Sequence, residues 1–76
     1  MGAANNSDYR RFIGLLTEAR RKAGITQVQL AKALKRPQSF VSKYERLERR
    51  LDVIEFLQIA KSIGIDPVSL IRKFRF

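Results

Sequence analysis

Residues 26–45, TQVQLAKALKRPQSFVSKYE, leave room for little besides two short helices joined by a tight basic turn. Thr26 and Gln29 have the spacing of a capping box, in which the hydroxyl and the amide satisfy backbone groups that a first helical turn leaves without partners. A helix is therefore expected from Gln27, with Val28, Leu30, Ala31 and Leu34 as its apolar positions. Lys35, Arg36 and Pro37 interrupt it, because proline disfavours helical conformation at the residue before it. Phe40, Val41 and Tyr44 then resume the helical period, and Gln38, Ser39, Ser42 and Lys43 fall mainly on the other side. No acidic residue lies between Glu18 and Glu45. Two helices, a basic turn and an unbroken run without carboxylates read as a helix-turn-helix presented to a polyanion.

The length of 76 residues fits one small domain, near the size where a single core gives only a few kcal/mol. A partner subunit would add stability, so a homodimer is expected. With no cysteine and no histidine, disulfides, the usual zinc sites and thiol or imidazole catalysis are unavailable. The seven carboxylates are scattered and there is no glycine-rich phosphate loop, so the sequence is read as a non-enzyme without cofactor, metal or small-molecule ligand. A net charge of +9 and a pI near 10.9 point to nucleic acid or an anionic membrane surface, and composition does not choose between them. No apolar run approaches the roughly 20 residues of a membrane span, and the start has no signal-peptide core, so a cytoplasmic protein is expected. Residues 1–6 read as a loose arm; Asn6 stands where a myristoylation signal needs serine or threonine. Contact between this arm and DNA is left open.

The remaining helices announce themselves by their ends. Ser7 is a candidate N-cap for a first helix whose apolar face is Phe12, Leu15, Leu16, Ala19 and Ala23, closed by Gly24 with Ile25 folding back. After the charged connection Arg46, Leu47, Glu48, Arg49 and Arg50, Asp52 and Glu55 form a second cap pair. They open a fourth helix with Val53, Phe56, Leu57, Ala60 and Ile63 as its buried stripe and Gly64 at its end. Asp66 as N-cap and Pro67 at the first helical position open a fifth, with Val68, Leu70, Ile71 and Phe74 apolar. The expectation is a compact five-helix, all-α domain over residues 7–76.

Gln27, Leu30, Ala31, Val41, Tyr44 and Glu45, followed by IAKSIGIDP, resemble the phage-repressor and Cro-type helix-turn-helix family. The likeness runs from about Phe12 to Leu70 and implies a lambda-repressor-like DNA-binding domain. Small size without a ligand-binding domain further resembles the controller proteins of restriction–modification systems. The resemblance implies that Gln38, Ser39, Ser42 and Lys43, at the start of the recognition helix, reach base edges in the major groove. Gln38 suits adenine and Lys43 guanine, each good contact giving roughly 1–3 kcal/mol of discrimination. Gln27 is implied as a phosphate contact at a helix N-terminus. Arg36, Arg46, Arg49 and Arg50 in the flanking loops are further phosphate candidates, with Lys32 and Lys35 behind them. Arg20 is implied to form a structural ion pair with Glu45. Phe40 is expected to pack in the core in preference to the sugar–phosphate backbone.

Three positions depart from the family pattern. Lys35 stands where a glycine usually takes a left-handed conformation, at a cost of about 1 kcal/mol. Pro37 replaces a serine or threonine cap. Leu47 replaces the glycine that often ends the recognition helix, leaving two outcomes: an extra turn of helix, or a leucine buried against helix four. In the tail, Leu70, Ile71, Phe74 and Phe76 alternate with basic residues and carry more apolar surface than so short a helix can bury, so they are read as the dimer interface.

The reading is thus a sequence-specific, double-stranded-DNA-binding transcriptional regulator acting as a homodimer on a palindromic operator, with Glu48 a candidate for touching RNA polymerase. Two rivals stand beside it. The fold could serve as a protein-interaction module, an antitoxin or antirepressor, though the polar, basic outer face of the third helix does not suit that. A basic binder of membranes or RNA would tolerate scrambling of Gln38 and Ser39, and operator reading would not.

Overall fold

Four of the five helices start at a side chain that caps them. In the computed structural model, which describes residues 6–74, α1 spans Ser7–Lys22, α2 Gln27–Leu34, α3 Gln38–Glu45, α4 Val53–Ile63 and α5 Pro67–Ile71. Thr26 and Asp52 each form a complete capping box, with Gln29 and Glu55 respectively. The Asp66 carboxylate accepts from the Val68 N–H at 3.0 Å. For α1 the cap is Asn6 and not Ser7: its side-chain oxygen accepts from the Asp8 N–H at 2.7 Å and the Tyr9 N–H at 3.3 Å. Asn6 therefore belongs to the domain, and residues 1–5 of the expected arm lie outside the described residues. Pro37 precedes α3 without any side-chain cap, as its ring has no acceptor to offer.

The helix ends share one device. Gly24, Lys35, Leu47 and Gly64 have φ of 73°, 57°, 65° and 78°, the left-handed region. At each, the backbone N–H of that residue bonds back three residues and the next N–H bonds back five, for example Lys35 to Lys32 at 3.0 Å and Arg36 to Ala31 at 2.9 Å. This double closure uses up carbonyls that a helix end otherwise leaves unpaired. Two of the four closures are made by residues with a Cβ, and these two bracket α3. Leu47 does not extend the recognition helix; it turns the chain itself and lays its side chain, half-buried, against the core.

α1 packs on α3 and α4, α2 on α3 and α4, and α5 closes over α4. The core they enclose contains Ile13, Leu16, Leu30, Ala31, Phe40, Val41, Tyr44, Phe56, Ile59, Ala60, Ile63 and Leu70. The expected stripes need rotating in three helices. In α1, Ile13 joins Leu16 inside, Phe12, Leu15 and Ala19 are half-buried, and Ala23 is exposed. In α2, Val28 faces outward while Leu30 and Ala31 point in. In α4, Ile59 is fully buried, whereas Val53 is 70% and Leu57 43% exposed. α4 is apolar at nearly every position from 53 to 60 except Glu55 and Gln58, so its sequence period is too shallow to choose a face, and docking on α1 and α2 chooses it.

The tail corrects the expected dimer surface. Leu70 is only 5% exposed and belongs to its own domain's core. Phe74 rests edge-on against Phe12 at 6.5 Å, and Phe12 in turn against Phe56 at 5.0 Å. Ile71 is exposed, and Phe76 lies outside the described residues. Arg11 fastens the segment by donating to the Lys73 carbonyl at 2.9 Å with its guanidinium over the Phe74 ring.

Candidate nucleic-acid interface

α3 is eight residues long and divides cleanly by face. Phe40, Val41 and Tyr44 are buried, each such side chain contributing about 1.5–3 kcal/mol to holding the helix on the core. Gln38, Ser39 and Lys43 are exposed and Ser42 is half-buried, so the four candidate base-reading residues share the outward side without acidic company. Phe40 packs as a core residue, tilted against Tyr44 with ring centroids 5.6 Å apart.

The inner end of α3 is locked to α1. Arg20 reaches Glu45 with two bonds, Nε to Oε2 at 2.7 Å and Nη2 to Oε1 at 3.0 Å, and donates a third to the Ile25 carbonyl at 2.8 Å. Both side chains are under 10% exposed, so each depends on the other for compensation of a buried charge. The hydrogen bond to Glu45 raises the Arg20 pKa, and that effect outweighs the opposing one of burial. Gln27, at the first position of α2, donates from Nε2 to Glu45 Oε1 at 2.9 Å. Gln38 then donates from its own Nε2 to Gln27 Oε1 at 3.4 Å. A continuous path of hydrogen bonds thus runs from the interior to the first residue of α3. Gln27, implied as a phosphate contact, is engaged on both sides of its amide and keeps one N–H for an outside acceptor.

The arginines flanking α3 do not form one group. Arg36 and Arg49 both turn inward to Glu55: Arg49 makes two bonds of 2.9 and 2.8 Å, and Arg36 one of 3.2 Å. Their guanidiniums lie 4.4 and 4.8 Å from the centroid of Phe40. Glu55 is buried and keeps its capping bond to the Asp52 N–H at 3.0 Å, so one carboxylate serves the α4 cap and two cations. The Arg49 hydrogen bonds hold its carboxyl at about 2, well below the usual carboxylate range, against the opposing effect of burial. This role of Glu55 was missed in the sequence, where it reads only as the third residue of a capping box. Arg36 lies 19 positions away, and no local spacing connects them. Arg46 and Arg50 remain exposed; Arg46 pairs with exposed Glu48, and Arg50 lies over the Tyr9 ring at 4.3 Å. Lys32 and Lys35 are exposed near the turn between α2 and α3. Among the described residues no helix is long and apolar enough to cross a membrane.

Residues 16–70 match the family model described as helix-turn-helix, which takes in α2, α3 and α4 whole. A search of curated proteins gives no match. Among solved structures, the chain is similar to an XRE-family like protein from Pseudomonas syringae pv. tomato str. DC3000, with 57% identity and a TM-score of 0.87. That match covers 90% of this chain and 83% of the other. With the family model spanning most of the chain and a close relative agreeing along its length, this protein belongs to the XRE-type helix-turn-helix family of Cro- and repressor-like DNA-binding transcriptional regulators.

Proposed function

We propose that the chain is a sequence-specific regulator that binds a palindromic operator as a homodimer, with one α3 in the major groove of each half-site and half-sites about 34 Å apart. The observation that carries this reading is the division of α3: an apolar face bound to the core and an outward face of Gln38, Ser39, Ser42 and Lys43 on a domain of net charge +9. Those residues contact bases. Gln27, Arg46 and Arg50 take phosphates. Arg36 and Arg49, whose side chains are 40% exposed but tied to Glu55, contribute to the basic surface and set the frame of the turn.

The second subunit is best received on the outer side of α4 and α5. Val53, Ile54 and Leu57 share one side of α4, Val68 and Ile71 one side of α5, and all five are exposed. Val53 and Ile71 also line the same groove with Phe12, Phe56 and Phe74, which supports treating the two helices as one apolar surface. Clustering of exposed apolar side chains of this kind marks an interaction site more often than a bare surface.

Selection of bound sequences from a random duplex pool, followed by footprinting, tests the reading. Two inverted half-sites are expected, with affinity that falls steeply as salt rises because phosphate neutralisation releases counterions. A protection pattern without sequence preference, or binding indifferent to salt, overturns it.

A further inference from the structure

Of the arginines that flank α3, Arg36 and Arg49 have spent donors on Glu55, and Arg46 pairs with Glu48 at 3.2 Å. Arg50 is held differently. Among the described residues its guanidinium meets no hydrogen-bond acceptor and no carboxylate, and it lies over the Tyr9 ring, 4.3 Å from the centroid. A ring face attracts a cation through its quadrupole without supplying a counter-charge, so the positive charge stays uncompensated and the N–H donors stay open to an outside anion.

The main chain at Arg50 is pinned as well. Its carbonyl accepts from Arg49 Nη1 at 2.8 Å, and the next N–H, that of Leu51, donates to the Tyr9 hydroxyl at 3.2 Å. Tyr9 is itself set in the first turn of α1, where its N–H donates to the Asn6 cap at 3.3 Å and its ring leans on Phe12 at 6.0 Å. One aromatic side chain of α1 thus restrains both the backbone and the guanidinium of a loop residue distant in the chain. Nothing local in the sequence joins the two.

We infer that Tyr9 positions Arg50 for a phosphodiester oxygen of DNA, its ring acting as a seat that orders the guanidinium before the ligand arrives. Tyr9 is a positioning residue and acts through Arg50. Ordering a long side chain in advance removes part of the entropy loss that binding otherwise incurs. The inference rests on the reading that the loop after α3 lies along the DNA backbone.

The test measures affinity and its salt dependence for the full chain on a duplex carrying a single half-site selected from a random pool. A single half-site is used because Tyr9 and Arg50 also line the groove proposed for the second subunit, and subunit association must not enter the comparison. Arg50→Ala is expected to lower the slope of log K against log salt by about one, the loss of one phosphate contact. Tyr9→Leu is expected to weaken binding about three- to tenfold, the range for ordering one long side chain. In the Arg50→Ala background the same exchange should cost almost nothing, since the residue it acts through is gone. Tyr9→Phe keeps the ring and should restore most of the affinity lost with leucine. An equal loss from Tyr9→Leu in both backgrounds means that Tyr9 supports only the scaffold, which overturns the inference. A phenylalanine variant as weak as the leucine one overturns it too. Circular dichroism checks that Tyr9→Leu folds. If it does not, NMR of the native protein decides: the Arg50 side-chain methylene signals are expected upfield, displaced by the ring current, and signals at ordinary positions overturn the inference. If Arg50→Ala leaves affinity and slope unchanged, Arg50 is not a DNA contact and the inference fails, while base preferences found in the selection still stand. If the selection returns no preference, the operator reading fails, and the same variants on an arbitrary duplex still decide the role of Tyr9, because phosphate contacts carry no sequence information.

Discussion

Lys35 and Leu47 hold left-handed backbone with a Cβ attached, which costs about 1 kcal/mol each relative to glycine. The two are not equivalent. The Lys35 side chain is exposed, so Lys35→Gly is expected to stabilise the domain by about 1 kcal/mol, read as a higher midpoint in urea unfolding. Leu47 is half-buried against the core, and Leu47→Gly gives up that packing, so its gain and loss nearly cancel. Tyr44 offers a second residue-level test. Its ring is fully buried but its hydroxyl has no hydrogen-bond partner among the described residues, and burial raises its pKa above the ordinary tyrosine range. Tyr44→Phe removes a desolvated polar group without changing the ring, and is expected to leave thermal stability equal or higher by about 1 kcal/mol. A clear loss of stability would mean that the hydroxyl has a partner in solution.

At the level of elements, Glu55 ties the turn before α3, the loop after it and the start of α4 into one unit. Its folded pKa is about 2 against an ordinary 4.5, so the stability it contributes is fully present above pH 4.5 and is lost as pH falls toward 2. Unfolding measured across that interval is expected to show a loss that Glu55→Gln abolishes, with the variant less stable than the native protein at neutral pH. Helix boundaries were readable from the chain because caps are local: Thr26 with Gln29, Asp52 with Glu55, and Asp66 before Pro67 each act within three residues. The buried faces were readable only where polar residues break the period. They were on α3, where Gln38, Ser39 and Lys43 mark the outside, and they were not on α4, where Val53 and Leu57 are as apolar as the buried Ile59. The destination of Arg36 and Arg49 was hidden for a different reason. A basic loop beside a recognition helix has the same composition whether its guanidiniums face phosphate or a buried carboxylate, and only the tertiary approach of α4 separates the two.

At the scale of the whole molecule, a charge of +9 on a small domain repels a second copy, so association depends on apolar surface. Val53→Lys with Ile71→Lys adds two further cations to exposed positions on the proposed surface. The double variant is expected to sediment as a monomer that keeps its helical circular dichroism, and to bind a two-half-site duplex no better than a single half-site. A dimer that survives these substitutions places the interface elsewhere.

The same division of α3 bears on how such proteins diversify. Its inner side is filled by Phe40, Val41 and Tyr44 together with Glu45 on Arg20, while Ser39 and Lys43 are exposed and make no side-chain hydrogen bond among the described residues. If Ser39 and Lys43 read bases as proposed, replacements there are expected to change the sequence bound without disturbing the scaffold. A replacement that does weaken the helix has slack nearby, since a single exchange to glycine at position 35 returns about 1 kcal/mol. On the proposed reading, a lineage built on this chain can alter what it reads in small steps, each one folded.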